Sequence, residues 1–319
     1  MDNQNVIVSA TPHVCSKDST RSIMLDVIIA LVPACVMGIY YFGFNALLLM
    51  LVSVASAMLS EAAFQKIMKR PSTTGDLSAA VTGLLLALNM PASAPLWTPV
   101  VGSVFAIIIV KQIFGGIGQN FVNPALAGRA FLLASYPTIM TAWTLDGVST
   151  ATPLALLKSG SFVPAGADIA SAFFGHIGGC IGETSAIALL IGGIYLIVKQ
   201  VISWRIPVIY IATVMLLTWI IGRNGVMTGF PVYEAVVGGL MLGAIFMATD
   251  YATSPVTAAG QVIFALGCGL LTALIRTKGG YPEGVSYSIL IMNLCVPLID
   301  KFTRPRVFGT TKAKEAKKA

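Results

Sequence analysis

Apolar residues run through the chain in long unbroken blocks, and the polar residues collect in short stretches between them. A bilayer core about 30 Å thick is crossed by roughly 20 apolar residues in helical form. Blocks of about that length fall at 24–42, 44–63, 97–114, 183–199, 206–222, 259–275 and 285–300. Three more are short or interrupted, at 77–90 (closed by Pro91), 124–136 and 234–248. The pattern predicts an all-α polytopic membrane protein of about ten segments. A long polar loop around 140–180 splits these into two sets of five, 24–136 and 183–300. Five is odd, so the second set enters the membrane in the opposite sense. The third segment of each set is short and glycine-rich, GLLLAL in one and GGLMLG in the other. Paired short segments in two halves mark an inverted repeat with broken helices and a polar site where they meet. The expected organisation is an N-terminal segment 1–22, a first membrane repeat 23–136, an outer loop 137–182, a second repeat 183–300 and a basic tail 301–319.

Composition narrows the class. Hydrophobic residues make up 56% of the 319 and charged residues 10%, against about 25% charge in soluble domains. This excludes a soluble enzyme, a disordered chain and a disulfide scaffold. The net charge is +7, but seven basic residues lie after Asp300, where a juxtamembrane cluster faces anionic lipid rather than nucleic acid. With the N-terminus inside, alternate segments carry 16 basic residues inside and 4 outside. Both termini are therefore expected on the cytoplasmic side of the inner membrane, and the 140–180 loop outside. The four tryptophans, Trp97, Trp143, Trp204 and Trp219, fall at expected span ends. No targeting segment is expected, since the first apolar run begins only at Ile23.

The five cysteines (Cys15, Cys35, Cys180, Cys268 and Cys295) form no C-x-x-C pair and read as reduced thiols packed as small apolar groups. His13 and His176 lie far apart without matched ligands, so no metal site is expected. Glu183 and Glu234 open apolar segments, where a carboxylate suits the helix dipole.

Chemistry gathers in the outer loop, in Asp146-Gly147-Val148-Ser149-Thr150-Ala151-Thr152-Pro153. Locally, Thr152 followed by Pro153 is a helix start, with a hydroxyl N-cap and then proline at the first helical position. A helix N-terminus also attracts phosphate, through its free N–H groups and its dipole. Lys158, further along, adds to that field.

These residues resemble the flavinylation sequence D-x-x-S/T-G-A-T, with Thr150 in place of the usual glycine. The chain as a whole is similar to the RnfD proteins of the Rnf electron-transport complex, themselves similar to the NqrB proteins of the sodium-pumping NADH:quinone reductase. Thr11-Pro12-His13, the run from Lys111 to Ala125, and Phe246-Met247-Ala248-Thr249-Asp250 carry this resemblance with the loop motif. It implies FMN joined through its phosphate to Thr152 on the outer face, with Asp146 and Ser149 part of the motif. An exported flavin transferase using FAD would install it. The resemblance also implies a second, non-covalent flavin, riboflavin. The polar groups Gly118-Gln119-Asn120…Asn123 and Thr249-Asp250…Ser254 both face inward from the membrane, and Asn120, Asn123 and Asp250 are its expected ligands. Asx turns and helix capping would satisfy the same side chains. The implied activity is that of a ferredoxin:NAD oxidoreductase complex coupled to Na+ or H+ movement. Other subunits, one of them also flavinylated, would be the partners. No GxGxxG fingerprint is present, so NAD and ferredoxin would meet those other subunits, and no catalytic residue is expected here. Without the loop motif, an inverted-repeat transporter or channel is the leading alternative, and a structural anchor a third.

Overall fold

The structure is a computed structural model that describes residues 19–145, 148–160, 164, 166–222, 227–281 and 283–305. Its first half contains α1 (Thr20–Phe42), α2 (Phe44–Ile67), α3 (Ser78–Leu88), α4 (Trp97–Val104) and α5 (Pro124–Ser135). The α4 helix runs on as a π-helix over Phe105–Gln112, where one α-helix was expected. The segment between the halves holds the short α6 (Pro137–Met140), a hairpin of β1 (Thr144–Leu145) and β2 (Val148–Ser149), α7 (Pro153–Lys158) and α8 (Gly166–Phe174). The second half contains α9 (Ala186–Val198), α10 (Arg205–Ile221), α11 (Pro231–Val236), α12 (Leu240–Leu242), α13 (Ala258–Lys278) and α14 (Val285–Thr303). Four of these helices, α1, α2, α13 and α14, are long and apolar enough to cross a bilayer on their own. The protein is an all-α polytopic membrane protein, and its one hairpin among the described residues lies in the segment between the halves.

The packing follows the two halves. The α2 helix lies along α4, as α10 lies along α13; α4 and its π-helical extension pack on α5, as α13 packs on α14. Across the halves α1 packs on α9 and α5 on α14, first segment on first and fifth on fifth. Like-numbered segments thus meet across the two halves. The α1–α9 crossing is close because Gly192 lets it be: a Cβ there would stand 2.1 Å from the Ala30 carbonyl oxygen. Replacing Gly192 with Ala gains at most about 1 kcal/mol of helix propensity. Overpacking against rigid backbone costs roughly 1–3 kcal/mol, so Gly192→Ala is expected to lower the thermal denaturation temperature of the detergent-solubilised chain.

The third segments differ from one another. The first is the single short helix α3. The second is broken: α11 ends at Val236, residues 237–239 are non-helical, and α12 continues as a π-helix over Gly243–Met247. Gly238 and Gly239 make the break, with φ of +70° and +49°, values that a residue without Cβ reaches at little cost. Beside α3, Ile181 and Gly182 donate to the Met90 and Leu88 carbonyls at 3.0 and 2.8 Å. These bonds tie the end of the segment between the halves to the tip of the short helix.

Candidate functional site

Thr152 is the N-cap of α7, as its sequence implies. Its Oγ1 accepts from the Ala155 amide at 3.3 Å, and Pro153 takes the first helical position. The residue is buried, only 5% exposed. The hydroxyl faces a void of about 10 Å³ bounded by Ile177, Gly178, Gly179, Glu183, Gly238 and Glu283, room for about one water. Lys158 does not turn toward Thr152. Its ammonium donates to the Gly279 and Tyr281 carbonyls and holds α7 against the loop before α14. Thr150 is fixed by its amide, which donates to the Trp143 carbonyl at 3.0 Å. Ser149 lies in β2, and Asp146 falls outside the described residues.

Behind Thr152 lies an ionic cluster that pattern reading did not assemble. Arg129, midway along α5, is buried. Its Nη1 donates to Asn89 Oδ1 at 3.0 Å and Ser286 Oγ at 2.9 Å, and stands 3.4 Å from Glu183 Oε1. Its Nη2 reaches Cys180 Sγ at 3.5 Å and pairs with Glu283. Ligand atoms of Cys180, Glu183 and Glu283 lie within 4.8 Å of one another, but the guanidinium is already the cation among them. Arg276, fully buried, donates to the Glu234, Gly238 and Glu283 carbonyls. It thus occupies the carbonyls freed by the break between α11 and α12. In a transporter such unwound carbonyls hold the ion; here a side chain of the same chain holds them. The legible signal was an arginine inside an apolar run, a position that is costly unless paired.

At the other end of the bundle a cavity of about 300 Å³ brings together the first turn of α1, the starts of α3 and α5, the end of α9 and the segment after the second π-helix. Asn120 and Asn123, and Asp250 from the other half of the chain, all line it, with Lys111 and Ser78. Asn123 caps α5, its Oδ1 accepting from the Ala125 and Leu126 amides at 3.0 and 3.2 Å, while its Nδ2 donates to the Met247 carbonyl at 3.2 Å. Asp250 accepts from Thr253 Oγ1 at 3.1 Å. Burial raises its pKa, opposed by hydrogen bonds from Thr253, the Ala252 amide and Asn120. The expected capping is present, and the same groups form the polar edge of a mostly apolar cavity. Lys111 is held by Glu61 at 2.8 Å and Ser78 Oγ at 2.6 Å. Lys111, Arg129 and Arg276 are thus buried partners rather than loop charges. Leaving them out of the sidedness count, Arg129 and Lys111 from one side and Arg276 from the other, keeps its sign.

His176 is exposed, its ring 6.0 Å from that of Tyr41, and His13 and Cys15 lie outside the described residues.

The sequence pattern of the NQR2, RnfD, RnfE family matches residues 7–309. The chain is 55% identical, over the full length of both proteins, to the D subunit of the Na+-translocating ferredoxin:NAD+ oxidoreductase complex of Acetobacterium woodii. It is 48% identical to the D subunit of the proton-translocating ferredoxin:NAD+ oxidoreductase complex of Clostridium ljungdahlii, over 95% of this chain and 96% of that one. It is 39% identical to the D subunit of the ion-translocating oxidoreductase complex of Stutzerimonas stutzeri, over 92% and 93%.

Proposed function

The chain belongs to the NQR2, RnfD, RnfE family, and from that premise we propose that it is the flavin-carrying membrane subunit of an ion-translocating ferredoxin:NAD+ oxidoreductase complex. It works with the other membrane and peripheral subunits, one of them also flavinylated, to couple electron transfer to Na+ or H+ movement. FMN is esterified to Thr152 on the extracytoplasmic face by a flavin transferase. Riboflavin occupies the cavity bordered by Asn120, Asn123 and Asp250, toward the cytoplasm. Both termini lie on the cytoplasmic side of the cell membrane.

The observation that carries this reading is the placement of the two candidate sites at opposite ends of a bundle thinned by short helices. A cavity of about 300 Å³ is at the lower limit of ligand pockets. Its apolar walls and one amide-and-carboxylate edge suit a ring with an apolar body and a polar rim. Asn123 at the cavity and Arg129 behind Thr152 lie on the same helix, α5. Six residues separate them, about 9 Å of rise. Between them Asn89 bonds Arg129 and reaches Met247 Sδ at 3.6 Å, and the Met247 carbonyl accepts from Asn123. Two cofactors held at these ends divide a membrane crossing that one transfer step would make too long. The bound flavins supply the redox chemistry; the chain holds them at fixed positions and tunes them by hydrogen bonds and burial.

At Thr152 the hydroxyl sits at a helix N-terminus, which attracts phosphate, while the charged residues lining the void beside it are Glu183 and Glu283. Space comes from displacing the Ile177–Gly179 turn or swinging the side chain outward, since the unmodified hydroxyl sits beside room for only one water. The test is the mass of the mature chain from its own host, with peptide mapping across 141–158. An added FMN less one water on the peptide containing Thr152 is expected. A bare peptide would overturn the covalent assignment, and a chain that releases no riboflavin on denaturation would overturn the second.

A further inference from the structure

We propose that Asp76, Ser78 and Lys111 form a proton relay from the polar segment between α2 and α3 into the cavity bordered by Asn120, Asn123 and Asp250, where it supplies the proton that accompanies an arriving electron. This inference rests on the placement of riboflavin in that cavity. Beyond that placement it names the path of the proton and the residues that carry it.

The relay is an unbroken row of hydrogen bonds. Asp76 ends the short 3-10 turn Thr74–Asp76 just before α3 and is half-buried. Its Oδ1 accepts from the Ser78 amide at 2.8 Å and from Ser78 Oγ at 2.6 Å. Ser78 Oγ accepts in turn from Lys111 Nζ at 2.6 Å. Ser78 and Lys111 are buried and both line the cavity, whereas Asp76 lies behind them. Each step falls within hydrogen-bond reach, the distance over which a proton passes between heavy atoms. The row thus leads from a carboxylate with access to water, through one hydroxyl, to an ammonium on the cavity wall.

The charges around Lys111 return it to the protonated state. Glu61 of α2 is fully buried. Its Oε1 accepts from Lys111 Nζ at 2.8 Å and from Gln112 Nε2 at 2.5 Å, and its Oε2 has no hydrogen-bond partner among the described residues. When Lys111 gives a proton to the cavity, Glu61 is left as a buried carboxylate without a counterion, which is costly. Reloading removes that cost. Asp76 takes a proton from water and passes it to Ser78 Oγ, and the hydroxyl proton of Ser78 moves to Lys111 Nζ. One proton leaves the water and one enters the cavity, while the electron arrives separately from the other redox groups of the complex. Asp250, also on the cavity wall, is the other carboxylate that feels the Lys111 charge. Arg70 reaches only the Gln112 carbonyl, at 3.1 Å, and stays outside the row. Paired ionisable groups inside an apolar bundle are costly to keep and commonly mark such proton routes.

The test uses the complete complex purified from its own host. Electron flux from ferredoxin to NAD+ is measured from about pH 6 to about pH 9, and riboflavin is quantified after denaturation. Asp76→Asn keeps an oxygen to accept from Ser78 but cannot carry a proton. It is expected to lower the flux at least about tenfold at the alkaline end, by less at the acid end, with riboflavin content unchanged. Added formate is expected to restore the flux, because a small acid carries protons to Ser78 in place of the missing carboxyl. Ser78→Ala is expected to lower the flux as far, and Ser78→Thr, which keeps the hydroxyl, to retain it. Full flux in Asp76→Asn at every pH, or a loss that neither acid pH nor formate reverses, would overturn the relay and leave the riboflavin assignment standing. A wild-type complex that releases no riboflavin would overturn that assignment, and the relay with it.

Discussion

Thr152→Ala is expected to give a chain that inserts and folds but shows no flavin fluorescence in its band after SDS gel electrophoresis, which separates the released riboflavin, a fall of at least about tenfold, to background. Thr150→Ala is expected to keep the full signal. The size of the effect comes from chemistry rather than stability. The ester needs an oxygen, and alanine has none. The cap bond from the Ala155 amide is worth roughly 0.5–2 kcal/mol, which is too little to unfold a bundle with the interhelical packing described above. Thr152→Ser separates the two contributions, since serine keeps both the nucleophilic oxygen and the cap. It is expected to restore the signal. Thr150 carries the competing hydroxyl. Its Oγ1 is buried without a hydrogen-bond partner among the described residues, and its amide is committed to Trp143. That backbone bond keeps Thr150 beside the hairpin while α7 is capped two residues later, by Thr152. A label that stays on Thr152→Ala and leaves Thr150→Ala would move the ester by two residues.

The architecture was legible in the sequence wherever a single local pattern determined it. Each expected span has a helical counterpart, because continuous apolar runs leave a chain in lipid no alternative to satisfying its own backbone. Thr152-Pro153 and Asn123-Pro124 both open helices, as a capping side chain followed by proline does. The break at Val237–Gly239 was visible as a glycine pair, although pattern alone did not give the left-handed backbone at both glycines. The shared cavity of Asn120, Asn123 and Asp250 followed from topology, because all three come from segment ends on the same side.

What stayed hidden is what depends on contacts between distant segments. Cys180 and Glu183, from the loop before α9, and Glu283, from the loop before α14, converge on Arg129, and no spacing along the chain encodes that meeting. The same limit applies to Thr152. A hydroxyl in a long polar loop reads as exposed, yet tertiary packing of Ile177–Gly179 and Glu183 buries it. The burial of Lys111, Arg129 and Arg276 was likewise invisible to a count that assigns each basic residue to a loop. Ion pairs for Lys111 and Arg129, and backbone carbonyls for Arg276, had removed all three from the surface that such a count describes.

Arg129→Met is the substitution with the largest expected cost to the fold. Methionine approximates the length of the side chain, so packing changes little, but the buried Glu183 and the half-buried Glu283 lose their counterion. Removing one partner of a buried pair costs roughly 3–5 kcal/mol, against a whole-domain stability of about 5–15 kcal/mol. The expected result is a large fall in the thermal denaturation temperature, with loss of material on detergent extraction. Arg129→Lys is expected to fall between the two. It keeps the charge but loses the planar fork that serves Asn89, Ser286, Cys180 and Glu283 together. Those four partners come from the tip of α3, the first turn of α14 and the two loops that precede α9 and α14, so the guanidinium joins one repeat to the other. The decisive variant is Arg129→Met with Glu183→Gln and Glu283→Gln. If uncompensated charge is the cost, neutralising both carboxylates recovers most of the lost stability. If the cost is the lost hydrogen bonds to Asn89 and Ser286, the triple variant is no more stable than Arg129→Met alone. The first outcome is expected, because a buried unpaired carboxylate costs more than an unmade neutral hydrogen bond.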